Sequence, residues 1–238
     1  MRLKLTLEYD GTEFRGWAAQ PGLRTVEGEF RAALDRVFPS WDRLVVAGRT
    51  DTGVHALGQV ASVEVEGGPP IGRVAEALNV VLPDDVAVLA DEAAAPDFHA
   101  RHSARGRSYR YRIFRRHAPS PFEARRAWWY PRPLDRGALA ESAAILVGEH
   151  DFRAFTPTET QHEVFTREVL AAEWVDQGDL LEFEVTANSF LRHMVRTLVG
   201  TMLELPPVRI AELLQSGSRA DAGTTAPPWG LYLQRVHY

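Results

Sequence analysis

Residues 48–60 read Gly48-Arg49-Thr50-Asp51-Thr52-Gly53-Val54-His55-Ala56-Leu57-Gly58-Gln59-Val60 and set one carboxylate in a turn bracketed by two glycines. Leu44, Val45, Val46 and Ala47 lead in, and an apolar/polar alternation through Val60, Ser62, Val63, Glu64 and Val65 leads out. Alternation of period two is the pattern of a half-buried strand. Gly48 and Gly53 permit backbone angles that a side chain would forbid. The expectation is strand, tight loop, strand, with Asp51 held at a fixed place and Arg49 close by. Taken alone, such a loop reads first as a hairpin turn whose Asp and Thr satisfy turn amides, because Asp and Gly are turn formers. Chemistry for Asp51 has to be argued from the rest of the chain.

The elements around this loop define a fold class. Met1 to Tyr9 alternates like a strand. Thr25 is a helix cap, followed by Val26, Phe30, Ala33, Leu34 and Val37 at helical spacing, with Glu27 and Glu29 in the electropositive first turn. Residues 71–82 predict a second amphipathic helix, stopped by Pro83 and the Asp84-Asp85 turn, and Val86 to Leu89 a short strand. That order is a split β-α-β unit of the ferredoxin-like kind.

The second half repeats the theme. Arg107 to Phe114 alternates, which puts Tyr109, Tyr111 and Ile113 on one strand face and Arg110, Arg112 and Phe114 on the other. A helix is expected over Leu134 to Val147, a polar loop over 149–163, and a hairpin of Arg167–Val175 with Leu180–Thr186, Leu181, Phe183 and Val185 facing inward. Asn188-Ser189 is expected to cap a helix from Phe190 to Gly200. Leu191, Met194, Val195, Leu198 and Met202 form its apolar stripe, while Arg192 and Arg196 share the opposite face one turn apart. Gly200 on that face suggests close packing of another backbone. Gly230 to Val236 is a last strand. The fold class predicted is α+β: two ferredoxin-like or RRM-like lobes, residues 1–104 and 105–238, sharing a mainly antiparallel mixed sheet flanked by helices.

Charge distribution matters more than the total. The net charge is −5, yet nine arginines and one acid, Glu123, lie between Arg101 and Arg126. A local patch of that kind steers a phosphate backbone whatever the net charge. Phe14, Arg15 and Trp17 after the Asp10-Gly11 turn make a second aromatic and basic loop, which either packs Trp17 on the core or touches nucleic acid. Cysteine is absent, which excludes disulfides, thiolate metal sites and cysteine nucleophiles. His99 and His102 have no carboxylate pair or cysteine to complete a metal site. No apolar run reaches 18 residues and the N-terminus is not a signal peptide, so no membrane association and a cytoplasmic location are expected.

At this point the chain resembles a known family. Gly48-Arg49-Thr50-Asp51-x-Gly53-Val54-His55-Ala56 looks like the catalytic motif of the TruA family of tRNA pseudouridine synthases. Tyr9-Asp10-Gly11-Thr12-x-Phe14-x-Gly16-Trp17, Phe98-His99-Ala100-Arg101, Tyr109-Arg110-Tyr111, the run Asn188 to Arg196 and Gly230-Leu231-Tyr232-Leu233 follow in the family's order. The chain departs at Ala18, where the family usually carries Gln, and in the short stretch Glu204–Gly223, which lacks an expected glycine-rich turn.

The resemblance implies the pseudouridine synthase fold and isomerisation of uridine to pseudouridine at positions 38–40 of the tRNA anticodon stem-loop. It implies no cofactor and no metal, since nothing is added or removed. Asp51 would be the nucleophile, attacking either C6 of uracil or C1′ of the ribose. Arg196 would pair with it, Tyr109 would stack on the flipped uracil and Leu231 would line the pocket. Arg49 would fill the stack the base leaves. Arg15, Arg24, Arg101, Arg105, Arg107, Arg110 and Arg112 would hold tRNA phosphates. A homodimer is implied as well. Two rivals remain: an RNA-binding protein without catalysis, and a carboxylate hydrolase, which needs a second acid that no motif supplies.

Overall fold

In a computed structural model, residues 1–160 and 162–238 are described; Gln161, in the polar loop expected over 149–163, lies outside them. The chain forms two compact units, Met1–Arg105 with Tyr232–Tyr238, and Gly106–Leu231.

The first unit contains β1 (Arg2–Tyr9), α1 (Val26–Val37), β2 (Ser40–Val46), β3 (His55–Glu66), α2 (Val74–Asn79), β4 (Val86–Ala93) and the closing strand β10 (Leu231–His237). Its strands run in the order β4-β1-β3-β10, with β2 also paired to β3. Leu3, Leu5 and Leu7 alternate inward from β1 and are fully buried, as are Val26, Phe30 and Leu34 of α1 and Val74 and Leu78 of α2. The Thr25 cap is present: its hydroxyl accepts from the Gly28 amide at 3.2 Å, an interaction of about 1 kcal/mol.

Two expectations are corrected in this unit. The helix predicted over 71–82 shrinks to Val74–Asn79, because Gly72 takes φ +83° and the Asp91 carboxylate collects the amides of Gly72 and Ala75 at its start. At its end the Asn79 amide pairs both ways with the backbone of Val88 (2.9 and 2.7 Å), ending the helix against β4. The closing strand, grouped by sequence with the second lobe, joins the first unit instead. It runs parallel to β3 through Tyr232↔His55 and Leu233↔Ala56. Gly58 permits this, since a Cβ there would lie 2.6 Å from the Gln234 carbonyl oxygen.

The second unit contains β5 (Gly106–Phe114), β6 (Trp128–Trp129), α3 (Arg136–Ile145), β7 (Gly148–Asp151), β8 (Thr166–Gln177), β9 (Leu180–Ala187), α4 (Met194–Glu204) and α5 (Pro207–Ser216). Strand order is β5-β9-β8-β7, antiparallel throughout, with β6 parallel to β5. Tyr111, Ile113, Leu181, Phe183, Val185, Leu198 and Val199 fill its core.

Here the sequence misplaced one helix start and missed one helix. α4 begins at Met194, after His193 in a left-handed conformation (φ 60°). Asn188 does not cap it. Its side-chain oxygen accepts from the amides of Ser189 (2.6 Å) and Glu168 (3.3 Å), closing the end of β9 onto β8. Arg192 therefore precedes the helix and does not share a helical face with Arg196. The stretch 204–223, read as merely short, contains α5, which starts with Pro207 at N1, where the missing N–H costs nothing. The close approach at Gly200 is present: a Cβ would lie 1.8 Å from the Thr224 carbonyl oxygen.

Candidate active site

The loop between β2 and β3 is held from several directions within the first unit. The Trp17 amide donates to the Thr50 carbonyl (3.0 Å), the Gly53 amide to the Phe14 carbonyl (3.3 Å) and the Val54 amide to the Asp51 carbonyl (3.1 Å). Gln59 donates from Nε2 to the Gly48 carbonyl at 2.7 Å. The Tyr9 hydroxyl lies 2.8 Å from Thr50 Oγ1. Gly53 uses its conformational freedom at φ +77°, whereas Gly48 has no positive φ. Gly11 and Gly16 act by being small: a Cβ would come within 2.0 Å of the Val54 carbonyl oxygen and 2.8 Å of the Thr50 carbonyl oxygen. Asp51 is left half-buried and Arg49 exposed.

This geometry decides between the two readings of the loop after Asp10-Gly11 in favour of core packing for Phe14 and Trp17. Phe14 and Trp17 are each 1% exposed and belong to the core under the Asp51 loop. Of that trio only Arg15 is at the surface.

His55, the first residue of β3, is a support that sequence reasoning did not single out. It is buried, and its ring stacks on Tyr232 with centroids 4.6 Å apart. Its Nδ1 is 3.0 Å from the Gly11 amide and 3.1 Å from Asp10 Oδ1. One ring nitrogen cannot serve both: with a lone pair it accepts from Gly11, and with a proton it donates to Asp10. The contact with His55, joined by the Thr12 hydroxyl and amide, outweighs burial and holds the Asp10 carboxyl well below the usual carboxylate range. Burial pushes the Tyr9 phenol up to about 12, so it remains a neutral hydrogen-bonding group. The signal available in sequence was the fixed spacing of small and aromatic residues in two motifs, but not that one motif clamps the other.

The second unit gathers Tyr109, Arg196 and Leu231. Tyr109 lies half-buried on β5, and its ring meets Phe190 edge-on at 4.9 Å. Arg196 sits one turn into α4. Its Nε donates to the Ala226 carbonyl (2.7 Å), and its own carbonyl accepts from the Ala226 amide (3.1 Å). Next to this, the buried Tyr111 hydroxyl donates to the Pro227 carbonyl at 2.8 Å. Burial drives the Tyr111 phenol far above its ordinary value, and the Arg196 charge offsets only part of that. Leu231 is 6% exposed.

The family described as tRNA pseudouridine synthase matches residues 6–103 and 142–238. The tRNA pseudouridine synthase A of Moorella thermoacetica is 45% identical over 243 residues, covering 99% of this chain and 99% of its own. Those of Thermus thermophilus and Bacillus subtilis are 43% and 39% identical, covering all of this chain and 96% and 99% of their own. The chain belongs to the tRNA pseudouridine synthase family. It is an isomerase of tRNA by that membership. Asp51 and Arg196 fall inside the matched blocks, while Tyr109 falls between them.

For a tRNA pseudouridine synthase, the arginines proposed for phosphate contact divide sharply. Arg24 is bidentate to Asp85 at 2.7 and 2.8 Å, donates to Glu29 at 3.1 Å and lies 4.2 Å over the Phe14 ring. Arg110 pairs with Glu184 and Glu182 at 3.0 and 3.3 Å, and Arg112 with Glu182 and Glu123 at 3.2 and 3.3 Å. Arg107 is buried and donates to the Asn188 carbonyl at 3.0 Å. Glu182 and Glu184 come from β9, the neighbouring strand of the sheet, which a window of sequence around Arg101–Arg126 cannot show. Arg15, Arg49, Arg101 and Arg105 are exposed. The His99 and His102 rings lie 4.3 Å apart and tilted at 37°, with the His102 amide donating to His99 Nδ1, as in a turn. Among the described residues no group of three or more His, Asp or Glu is placed to hold a metal ion, and no helix is long and apolar enough to cross a membrane.

Proposed function

We propose that this tRNA pseudouridine synthase isomerises uridine at positions 38–40 of the anticodon stem-loop, with Asp51 as nucleophile. The observation that supports this most is the immobilised loop. Hydrogen bonds from Trp17, Tyr9 and Gln59 and the close approach of Gly11 and Gly16 hold the backbone on both sides of one half-buried carboxylate. A turn that needed only its own amides satisfied would not require support from a distant motif and from the following strand. Preorganisation of a nucleophile does.

The chemistry needs no co-reactant. The N1–C1′ bond breaks, the uracil turns over, and C5 bonds to C1′. The C5 proton is lost and N1 regains one, so the product is an isomer. The Asp51 carboxylate adds covalently, to C6 or to C1′, and leaves again. Arg196 is the cation for Asp51, and Tyr109 stacks on the extruded uracil and takes the C5 proton through its hydroxyl. Arg49 occupies the gap left in the stem, since extrusion costs stacking that a side chain can restore. Leu231 lines the pocket. Arg15, Arg101 and Arg105 hold phosphates. The enzyme works as a homodimer in the cytoplasm, on tRNA and without cofactor.

Tritium release from tRNA carrying C5-tritiated uridine, with mapping of the modified positions, tests this directly. Release accompanied by pseudouridine at 38, 39 or 40 supports the reading. Tight tRNA binding without release would leave the non-catalytic RNA-binding protein as the answer.

A further inference from the structure

The segment between β5 and β6 is a closed, braced loop whose tip is unused by the reaction. It leaves β5 at Phe114 and returns as β6 beside the same strand, pairing Ile113↔Trp128 and Phe114↔Trp129. Its base is tied by the Tyr130 amide to the Phe114 carbonyl (2.8 Å) and by Trp129 Nε1 to the Arg116 carbonyl (2.9 Å). Arg112 reaches the Arg126 carbonyl from below at 3.3 Å. The Arg116 guanidinium lies 5.1 Å over the Phe114 ring and donates to the Ala118 and Pro119 carbonyls. Arg125 sits in the left-handed region (φ 66°), a conformation the loop imposes on a residue that does not favour it. At the tip, between two prolines and Glu123, Phe122 is 85% exposed.

An aromatic ring held at such exposure loses burial, and one beside arginines has an evident counterpart. Arg116, Arg125 and Arg126 are exposed on the same loop, and its one acid, Glu123, is answered by Arg112 at 3.3 Å. The loop therefore carries an exposed aromatic ring and three exposed arginines in one short segment. Unpaired bases of RNA fit that chemistry: every base has a face to stack, and the flanking phosphates meet the guanidinium groups. We propose that Phe122 stacks on an unpaired base of the bound tRNA, with Arg126 taking a neighbouring phosphate. This rests on the enzyme's acting on tRNA and adds a recognition element distinct from Asp51, Tyr109 and Arg196. The base belongs to the anticodon loop or to another loop of the tRNA.

Affinity of the full-length protein for intact tRNA and for the isolated anticodon stem-loop decides it, measured for wild type, Phe122→Ala, Phe122→Trp and Arg126→Ala. Phe122→Ala is expected to weaken binding by about 5- to 150-fold, the span of one lost stacking contact, and Phe122→Trp to restore it. Weakening with both RNAs assigns the base to the anticodon loop, and weakening with intact tRNA alone assigns it elsewhere. Arg126→Ala is expected to lower the slope of log affinity against log salt by about one. Unchanged affinity for Phe122→Ala overturns the proposal. So does a loss that follows a change in sedimentation, which would make the loop a contact between copies of the chain. Tritium release by wild type keeps this test separate: release with no Phe122 effect sinks only the loop, and a Phe122 effect without release sinks only the catalytic reading.

Discussion

The Tyr9 hydroxyl lies 2.8 Å from Thr50 Oγ1, with Gln59 Nε2 at 3.3 Å from the same phenol oxygen. Tyr9 ends β1 and Thr50 precedes Asp51, so β1 fastens the loop that carries Asp51. Removing that one oxygen tests the support without opening a cavity. Tyr9→Phe is expected to cost about 1 kcal/mol of stability, the net worth of a typical hydrogen bond, and to lower Tm by about 2–4 °C. The turnover number should fall more than KM rises, because the nucleophile and not the RNA contact is loosened. A variant with the wild-type turnover number would show that the Tyr9–Thr50 contact has no part in positioning Asp51.

Asp10 gives the fold an acid-side sensitivity with a definite sign. Its carboxyl is held below the usual carboxylate value near 4, by His55 first and then by Thr12. A lowered folded value means that the stabilisation is complete above the unfolded value and is lost as pH falls through the folded one. The carboxylate is 36% exposed, so the effect is screened. Thermal unfolding of wild type and Asp10→Asn should differ at pH 7, and the gap should close as pH is taken below about 4. A gap of constant size from pH 7 to pH 3 would remove the charge from the account.

Two kinds of arginine should separate by salt dependence. Arg24→Ala strands Asp85 and is expected to lower Tm while leaving the salt slope of tRNA binding in place. Arg15→Ala is expected to leave Tm near wild type and reduce that slope by about one. Reversal of the two patterns would mean that Arg24 exchanges its protein partners for phosphate on binding.

Tyr109→Phe divides stacking from proton transfer. The ring and its edge contact with Phe190 survive the change, and only the hydroxyl goes. tRNA affinity is expected to hold while the chemical step slows by about 10²- to 10⁴-fold, the usual contribution of a positioned acid or base. Unchanged single-turnover rates would reduce Tyr109 to a stacking platform.

Much of this was legible in the amino-acid order, and the gaps have physical causes. The Thr25 cap, the inward alternation of Leu181, Phe183 and Val185, and the close approach at Gly200 are local patterns, and the structure has each of them. The start of α4 was misread because Asn188 has two outlets for its side chain, and accepting from the Glu168 amide competed with helix capping. α5 was missed because Pro206-Pro207 reads as a break when it is also a permitted helix start. The loop of Phe14 and Trp17 stayed open between core packing and RNA contact because sequence shows residue type, and only packing shows burial. The partners of two arginines in the patch were hidden for a related reason: Glu182 and Glu184 answer Arg110 and Arg112 across strands, at a separation no local window spans.

The central claim is that Asp51 is the nucleophile, and one substitution addresses it. Asp51→Asn preserves the size of the side chain and its place in a loop fixed by Trp17, Tyr9 and Gln59. Purified Asp51→Asn, incubated in single-turnover excess with C5-tritiated tRNA, should bind that tRNA as the wild type does and release no tritium above background. Pseudouridine formed by Asp51→Asn at a rate comparable to wild type would contradict the assignment.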